Sequence, residues 1–280
     1  MNSRPAPATL MVVHAHPDDE SSQTGGTLAR YAAAGWRTIL VTCTDGSQGS
    51  DAAGRTSGEL GHDPGVVARH RSAELDSAAS ILGVHEVVKL GYPDSGADAD
   101  TAPPDSFSRQ PEAPMVRRLV RLIDLYGPAV LVTYPSNGLS GHPDHIRTHD
   151  IVTAAHRHVV DNAAARVGVI PHLYHIALSR TLLLDIADRA RVVDAAQDWS
   201  PPESMGIADD EITTTIDVSA YWAQKVGALA AHASQADAAL LLGIFTAIGG
   251  TGAAVEQYVR VYPSPSDPPP TPERGFLGES

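Results

Sequence analysis

The chain has 280 residues, 42% of them hydrophobic, one cysteine and a formal net charge of −13. Such an acidic chain has no general attraction to phosphate backbones or anionic membranes, which argues against nucleic acid and lipid surfaces as partners. The single cysteine, Cys43, excludes an internal disulfide and a thiolate-rich zinc site.

The sequence carries no obvious targeting or membrane signal. The N-terminal residues contain no long apolar stretch ahead of a small-residue cleavage site, and no window approaches the ~20 apolar residues of a membrane span. We therefore expect a soluble, reduced protein of the cytoplasm. The length fits one large α/β domain with at most a modest appendage. The oligomeric state stays open, with a homo-oligomer as one alternative.

Apolar runs and amphipathic segments alternate along the first half of the chain. The pattern predicts strands at 9–14, 38–43, 86–90 and 129–134, and helices at 27–35, 66–82, 116–126 and 146–160. Such alternation indicates an α/β fold with an open, mainly parallel, Rossmann-like sheet, right-handed crossovers and helices on both faces. Two polar segments, 45–65 and 94–114, are predicted to be long loops, which is uncommon without a function.

The pattern weakens from residue 167 onward. We predict strands at 173–179 and 257–261 and a helix at 218–232. The Pro-rich segment 263–280 is typical of a disordered tail. These expectations divide the chain into a Rossmann-like, metal-binding catalytic core at 1–165, a smaller C-terminal part at 166–262 that completes the domain and its pocket, and the tail at 263–280.

Two turns rich in histidine and aspartate each follow a predicted strand and precede a predicted helix. The first reads His14-Ala-His16-Pro-Asp18-Asp19-Glu20, and the second reads His142-Pro-Asp144-His145. In an open parallel sheet this position is the carboxyl edge, where ligands bind. The two turns are therefore expected to meet in space, although they lie far apart in the sequence.

The residue types in these turns suit a catalytic zinc ion. His16, Asp19 and His145 would supply three imidazole and carboxylate ligands and leave one position for water. Fe(II) fits the same set of two histidines and one carboxylate.

The remaining polar residues of the two turns are candidates for acid–base chemistry. Asp18 would then be a free carboxylate beside the metal, able to take a proton from the water that the metal activates. His142 lies one helical turn from the predicted ligand His145 and can face the leaving group as a general acid. We expect Asp144 to orient His142 through its second ring nitrogen.

The motif HPDDE near the N-terminus, followed by a later HPDH, resembles the LmbE-like, or PIG-L, deacetylases. This family includes mycothiol-pathway enzymes that deacetylate N-acetylglucosaminyl-inositol or cleave mycothiol S-conjugates, and antibiotic-pathway amino-sugar deacetylases. The resemblance covers 10–160 and, more loosely, the segment around 228–235. It implies a zinc-dependent amidohydrolase acting on a small-molecule amino-sugar conjugate.

The resemblance also implies roles for individual residues. The positions matching His16, Asp19 and His145 bind zinc in the family, the one matching Asp18 is the general base, and the one matching His142 assists as an acid or oxyanion partner.

Two further residues match the family by context. Arg71 in HRSAEL resembles an arginine that contacts the sugar, and Asp94 in PDSG resembles a carboxylate that binds substrate hydroxyls. The sequence departs from the mycothiol enzymes at Ser140, where they carry a tyrosine that polarises the scissile carbonyl. It also has Ser50 where an acidic residue is expected. These departures favour a differently shaped acceptor, such as a larger glycoside.

Several alternatives remain beside this hypothesis. A dinucleotide-binding protein is disfavoured because no G-x-G-x-x-G follows the first strand, and a two-metal phosphatase needs more carboxylates than the two turns offer. A mycothiol S-conjugate amidase and a non-catalytic sugar-binding relative stay open. His149 is expected to have a role behind the ligands or in solvent. His232 and Gln235 are further candidates for lining the pocket.

Overall fold

A computed structural model describes residues 7–166, 168–191, 200–249, 254–261 and 273–278. These residues form one seven-stranded sheet with strands β1 (Thr9–His14), β2 (Arg37–Thr44), β3 (Glu86–Tyr92), β4 (Val130–Thr133), β5 (His172–Ala177), β6 (Thr214–Asp217) and β7 (Val255–Val261). The strand order is β3-β2-β1-β4-β5-β7-β6. The strands β1 to β5 run parallel, whereas β7 is antiparallel to both β5 and β6.

Helices follow most of the strands. They are α1 (Asp19–Gln23), α2 (Gly25–Ala33), α3 (Pro64–Leu82), α4 (Glu112–Tyr126), α5 (Pro143–Asp161), α6 (Arg180–Ala190), α7 (Trp222–Ala231) and α8 (Ala236–Ile248). Within the described ranges, no helix combines the length and the apolar character that crossing a bilayer requires. The predicted α/β fold with a mainly parallel sheet is confirmed.

The central strand β1 explains why helices cover both faces of the sheet. Successive side chains of a strand point to opposite faces. Leu10 and Val12 therefore pack into the core beneath α2, α3, α7 and α8, while Met11 and Val13 pack into the core beneath α4 and α5. All four side chains are buried, as expected for a parallel strand that is covered on both faces.

The ends of α3 follow from its sequence. The carboxylate of Asp63 accepts hydrogen bonds from the backbone N–H groups of Gly65 and Val66, so that it caps the helix before Pro64. The helix ends at Gly83, whose φ of 71° lies in the left-handed region that favours glycine. The predicted end of this helix at Gly83 is confirmed.

The sheet order brings the two sequence motifs together. Strands β1 and β4 are direct neighbours, with Leu10 paired to Val130 and Val12 paired to Val132. The chain crosses from β1 toward β2 on one side and from β4 toward β5 on the other. Such a switch point leaves a crevice at the carboxyl ends of the two strands. The turns after β1 and β4 both border this crevice.

The C-terminal tail needs a correction. Residues 262–272, 279 and 280 lie outside the described residues, but 273–278 pack against the domain. Glu273 pairs with Thr214, and Phe276 is fully buried, with ring centroids 4.6 Å from Tyr174 and 5.0 Å from Tyr258. The prediction of disorder is therefore wrong for this segment, because its one large aromatic residue fills the core.

We expect Phe276→Ala to lower the free energy of unfolding by about 3–5 kcal/mol, since it removes a buried aromatic ring. Urea unfolding followed by circular dichroism would measure this change. Leu60→Ala is the control, because Leu60 is 99% exposed and its truncation should change stability by less than about 0.5 kcal/mol. Equal stability of the Phe276→Ala variant and the wild type would show that this segment does not dock in solution.

Candidate metal centre and active site

Three predicted ligands meet at the crevice between β1 and β4. The Nδ1 atom of His16 lies 3.3 Å from Oδ2 of Asp19 and 3.3 Å from Nε2 of His145. The third side of this triangle, from Nε2 of His145 to Oδ2 of Asp19, measures 3.4 Å. A tetrahedral zinc ion with bonds of ~2.0–2.1 Å separates its ligand atoms by about 3.4 Å. The triangle therefore fits the donor set and the size of a catalytic divalent metal ion.

The second ring nitrogen of His16 is held from behind by carboxylates. Its Nε2 lies 3.2 Å from Oδ2 of Asp144 and 3.6 Å from Oδ1 of Asp94. A carboxylate in this place fixes the imidazole tautomer, with the proton on Nε2 and Nδ1 free to bind a metal. Asp144 therefore orients His16, and the prediction that its side chain orients His142 is wrong.

His145 is fixed by the loop that leads into α5. Its Nδ1 lies 3.0 Å from the carbonyl oxygen of Gly138, which leaves Nε2 for the metal. Gly138 has a φ of 66°, and a Cβ atom there would come within 2.8 Å of the His145 Cβ and 2.9 Å of the Ile146 nitrogen. Glycine is thus needed at this position for the loop to approach the ligand so closely.

Tyr134, which directly follows β4, is a site residue that neither sequence motif contains. Its hydroxyl donates a 2.7 Å hydrogen bond to Oδ2 of Asp19 and accepts one of 2.8 Å from the backbone N–H of Ala15. Its ring stacks on His145 with centroids 4.3 Å apart. Burial, with the nearby Asp19 carboxylate, raises the pKa of Tyr134 well above its usual value, so the phenol keeps its proton. The feature of the sequence that points to Tyr134 is its position at the end of a predicted strand, directly before the second polar turn.

Asp18 projects beside the ligand triangle in an unusual backbone conformation. Its φ is 101°, in the left-handed region that residues other than glycine rarely adopt. Its carboxylate accepts a 2.9 Å hydrogen bond from Nη2 of Arg71. Burial raises the pKa of Asp18 to about 6, although the guanidinium of Arg71 opposes this shift. A carboxylate with such a pKa is suited to accept and return a proton near neutral pH.

A buried pair supports the backbone of Asp18. The Glu20 side chain accepts a 3.0 Å hydrogen bond from the Asp18 N–H through Oε2, and Nε2 of His232 lies 2.8 Å from its Oε1. Glu20 and His232 are both fully buried. His232 therefore supports the first turn from behind instead of lining the pocket. Gln235 is also buried and donates to the carbonyl oxygen of Ser50.

The two predicted sugar-binding residues lie in the site but are both buried. The guanidinium of Arg71 donates to the carbonyl oxygens of Gly46 and Pro17 as well as to Asp18. Asp94 accepts hydrogen bonds from the backbone N–H groups of Gly96 and Gln48, and the neighbouring His16 helps to hold its pKa well below the usual range against the effect of burial. Their contacts in this structure are with the protein, and their contact with a sugar stays a prediction.

His142 caps α5 and stands at the rim of the site. Its Nδ1 accepts a 3.1 Å hydrogen bond from the backbone N–H of Asp144, so the neutral ring carries its proton on Nε2. Burial and the neighbouring His16 and His145 rings lower the pKa of His142 to about 4. At neutral pH this residue is therefore a hydrogen-bond donor through Nε2–H, which favours an oxyanion partner over a charged general acid.

Two other predicted positions lie away from the triangle. Ser140 is exposed in the loop before α5, where its N–H bonds to the carbonyl oxygen of Gly138. The Nδ1 atom of His149 lies 2.9 Å from the carbonyl oxygen of Tyr134, which agrees with a role behind the ligands.

Cys43 is buried, and burial raises the pKa of its thiol to about 12, as suits a structural residue.

Comparison with known structures places the fold among several enzymes. The hydratase GalB from Pseudomonas putida KT2440, which acts on 4-carboxy-2-hydroxymuconate, superposes with a TM-score of 0.66 at 17% identity over 93% of this chain and 99% of that one. N,N′-diacetylchitobiose deacetylase from Pyrococcus horikoshii gives a TM-score of 0.61 at 16% identity over 93% and 88% of the two chains. At this level of identity the similarity concerns the fold alone.

Sequence relatives give more specific information. A 1D-myo-inositol 2-acetamido-2-deoxy-α-D-glucopyranoside deacetylase from Thermobifida fusca is 37% identical over 81% of this chain and 82% of its own length. The enzyme of the same name from Actinosynnema mirum is 38% identical over 82% and 81% of the two chains. Residues 11–156 match the family model PIG-L, described as GlcNAc-PI de-N-acetylase. On this evidence the chain belongs to the PIG-L family of de-N-acetylases.

Proposed function

We propose that this protein hydrolyses the N-acetyl amide of a glucosamine-containing conjugate and releases acetate and the free amine. The observation that carries the proposal is the triangle of His16, Asp19 and His145 atoms, 3.3–3.4 Å on each side. A carboxylate and a ring N–H, from Asp18 and His142, border the same crevice. Membership of a family of de-N-acetylases points to the same reaction.

The donor set defines what a metal would contribute. Zinc or iron(II) at the triangle would polarise the amide carbonyl and lower the pKa of a water molecule. The chain supplies the remaining functions. Asp18 takes a proton from the water as its oxygen bonds to the carbonyl carbon. The same carboxyl group then returns the proton to the amide nitrogen as the C–N bond breaks.

His142 and Arg71 assist this reaction in different ways. The Nε2–H of His142 donates to the carbonyl oxygen while negative charge develops on it. Arg71 holds the Asp18 carboxylate in place through its 2.9 Å hydrogen bond. This assignment makes His142 a donor that needs no positive charge, in keeping with a pKa of about 4.

The relatives suggest which substrate to test first. Their names specify an N-acetylglucosamine linked to myo-inositol, and release of a free amine from this conjugate would support the proposal. The exposed, short side chain of Ser140 supports a second candidate, a bulkier N-acyl glucosaminide. No release of amine from either substrate by the metal-loaded enzyme would refute the proposed reaction. A cytoplasmic location and a homo-oligomer remain predictions.

The metal assignment can be tested by removing one ligand. We expect purified wild type to hold about one zinc or iron ion per chain and His145→Ala to lose it, since a catalytic site has three protein ligands. Asp18→Asn is the matched control and should keep the metal, because Asp18 lies outside the triangle. Elemental analysis after dialysis measures both. Full metal content in His145→Ala would require a different ligand set.

Asp18→Asn should reduce kcat by about 10²–10⁴-fold with little change in KM, because a general base contributes to the rate rather than to ground-state binding. Asparagine suits this position, since it tolerates the left-handed conformation better than alanine does. The measurement is steady-state amine release. A kcat close to that of the wild type would assign the proton transfer to another residue.

His142→Asn should reduce kcat by about 10²–10³-fold, the effect of losing one oxyanion donor. Asparagine is also a good helix N-cap, so the variant keeps the cap of α5 while removing the imidazole N–H. Its thermal unfolding should therefore match that of the wild type. If the two proteins unfold alike and also turn over substrate alike, His142 has no role in the chemistry.

A further inference from the structure

Each carboxylate oxygen of Asp19 has its own set of partners. Oδ2 belongs to the ligand triangle, and it also accepts hydrogen bonds from the Tyr134 hydroxyl and from the backbone N–H of His16. Oδ1 accepts a 2.8 Å hydrogen bond from the side-chain amide of Gln23, at the end of the short helix α1. Gln23 therefore engages the oxygen of Asp19 that the triangle does not use.

The chemistry of the two groups fixes the orientation of the Gln23 amide. An ionised carboxylate only accepts hydrogen bonds, so Nε2 of Gln23, and not Oε1, must face Asp19. The Oε1 atom is buried, and it has no hydrogen-bond partner within the described part of the chain. Such a buried acceptor is unfavourable. Turning the amide over would not relieve it, because two acceptors would then face each other, so the bond to Asp19 holds the amide in this orientation.

The helix that carries both residues is anchored from behind. Asp19 and Gln23 stand four positions apart, where side chains of a helix meet on one face. The backbone carbonyl oxygen of Ser22 accepts a 2.7 Å hydrogen bond from the ammonium group of Lys225, which also pairs with Glu256 at 2.6 Å. Lys225 and Glu256 are both buried. The amide of Gln23 is thus presented to Asp19 from a turn that the rest of the domain holds in place.

The bond from Gln23 limits how Asp19 can bind a metal ion. A carboxylate can contribute one oxygen or both to a metal. While Oδ1 is engaged by the amide, only Oδ2 is left for the triangle. A catalytic zinc site needs a coordination position beyond its three protein ligands for water and substrate, and a second oxygen from Asp19 would compete for that position.

We infer that Gln23 is a positioning residue that restricts Asp19 to one metal-binding oxygen and so preserves the open coordination position. The inference rests on the proposed function, because it concerns the same metal centre. Gln23 acts through Asp19 and needs no contact with the substrate. Its role is to exclude a competing ligand atom from the centre.

The test replaces the native metal by Co(II), because four-coordinate Co(II) absorbs visible light more strongly than Co(II) with more ligands. Gln23→Met removes the donor and keeps the length of the side chain. We expect the absorption of Co(II)-loaded Gln23→Met to be weaker than that of the wild type, as Oδ1 joins the ligand set. With the native metal, kcat should fall about 10–100-fold, the usual effect of losing the outer partner of a metal ligand, with little change in KM.

Two further variants complete the design. Gln23→Ala also removes the donor and favours a helix, so it should weaken the absorption in the same way. Ser22→Ala is the matched control on α1. The Ser22 hydroxyl donates to the backbone carbonyl oxygen of Asp19 at 3.3 Å and not to its carboxylate, so this variant should keep the wild-type spectrum and kcat.

A wild-type Co(II) spectrum in both Gln23 variants would overturn the inference even if their kcat fell, since the loss would then come from a looser α1. Loss of the metal from both on dialysis would also overturn it. The spectra are recorded without substrate and are therefore independent of the bond that the enzyme cleaves. A weakened spectrum in a protein that releases no amine would keep the role of Gln23 and reject the proposed reaction, whereas amine release with unchanged spectra would do the reverse.

Discussion

The hydroxyl of Tyr134 links the two loops that build the proposed active site. It stands at the end of β4, donates to Asp19 and accepts from Ala15, both in the turn after β1. The phenol is buried, so water cannot compete for these hydrogen bonds. The position of the Asp19 carboxylate relative to His145 is thereby set by a residue that needs no contact with metal or substrate. The pairing of β1 with β4 brings Tyr134 to this place.

The two edges of the His16 ring face different groups. On the side of the triangle, ring nitrogens and one carboxylate oxygen point toward a common centre. On the far side, Asp144 and Asp94 hold the opposite edge of the His16 ring. One imidazole thus has acidic neighbours at both nitrogens, which fixes its orientation in two directions. A ligand held this way keeps its geometry whether or not substrate is bound.

Much of the fold could be predicted because the decisive patterns are local. The strand at 9–14 and the helix end at Gly83 follow from apolar runs and turn residues, and the structure has them at the predicted places. The sequence pattern does not predict the helices α6 and α8 or the short strand β6. The 13 residues of α8 have little amphipathic contrast, and β6 has only four residues, so neither has a clear period.

The site was predictable where its residues stand close together in the sequence. HPDDE and HPDH place His16, Asp19 and His145 correctly at one sheet edge. The motifs do not reveal the hydrogen-bond partners of the other polar atoms in these turns. Asp144 sits between His142 and His16, and only the fold decides that its carboxylate faces His16 while its N–H faces His142. Tyr134 carries no motif and gains its role from a contact across 115 positions of sequence.

The similarity to both a hydratase and a deacetylase shows that this fold is shared by enzymes of different reaction types. The strand order guarantees a crevice but does not decide which bond is broken there. For this chain the metal-sized triangle, the carboxylate of Asp18 and the sequence relatives all favour hydrolysis of an amide.

The position of His142 has a consequence for how this site can change over time. The same ring accepts the first N–H of α5 and packs against the rings of His16 and His145 at the crevice. An arginine or lysine could replace the donor but not the cap, and a serine or aspartate could replace the cap but not the donor. Histidine satisfies both demands because the ring separates its two nitrogens, so that one accepts at the helix while the other donates at a distance from it. Evolutionary drift at this position is therefore restricted twice, by the stability of a helix and by the chemistry beside it.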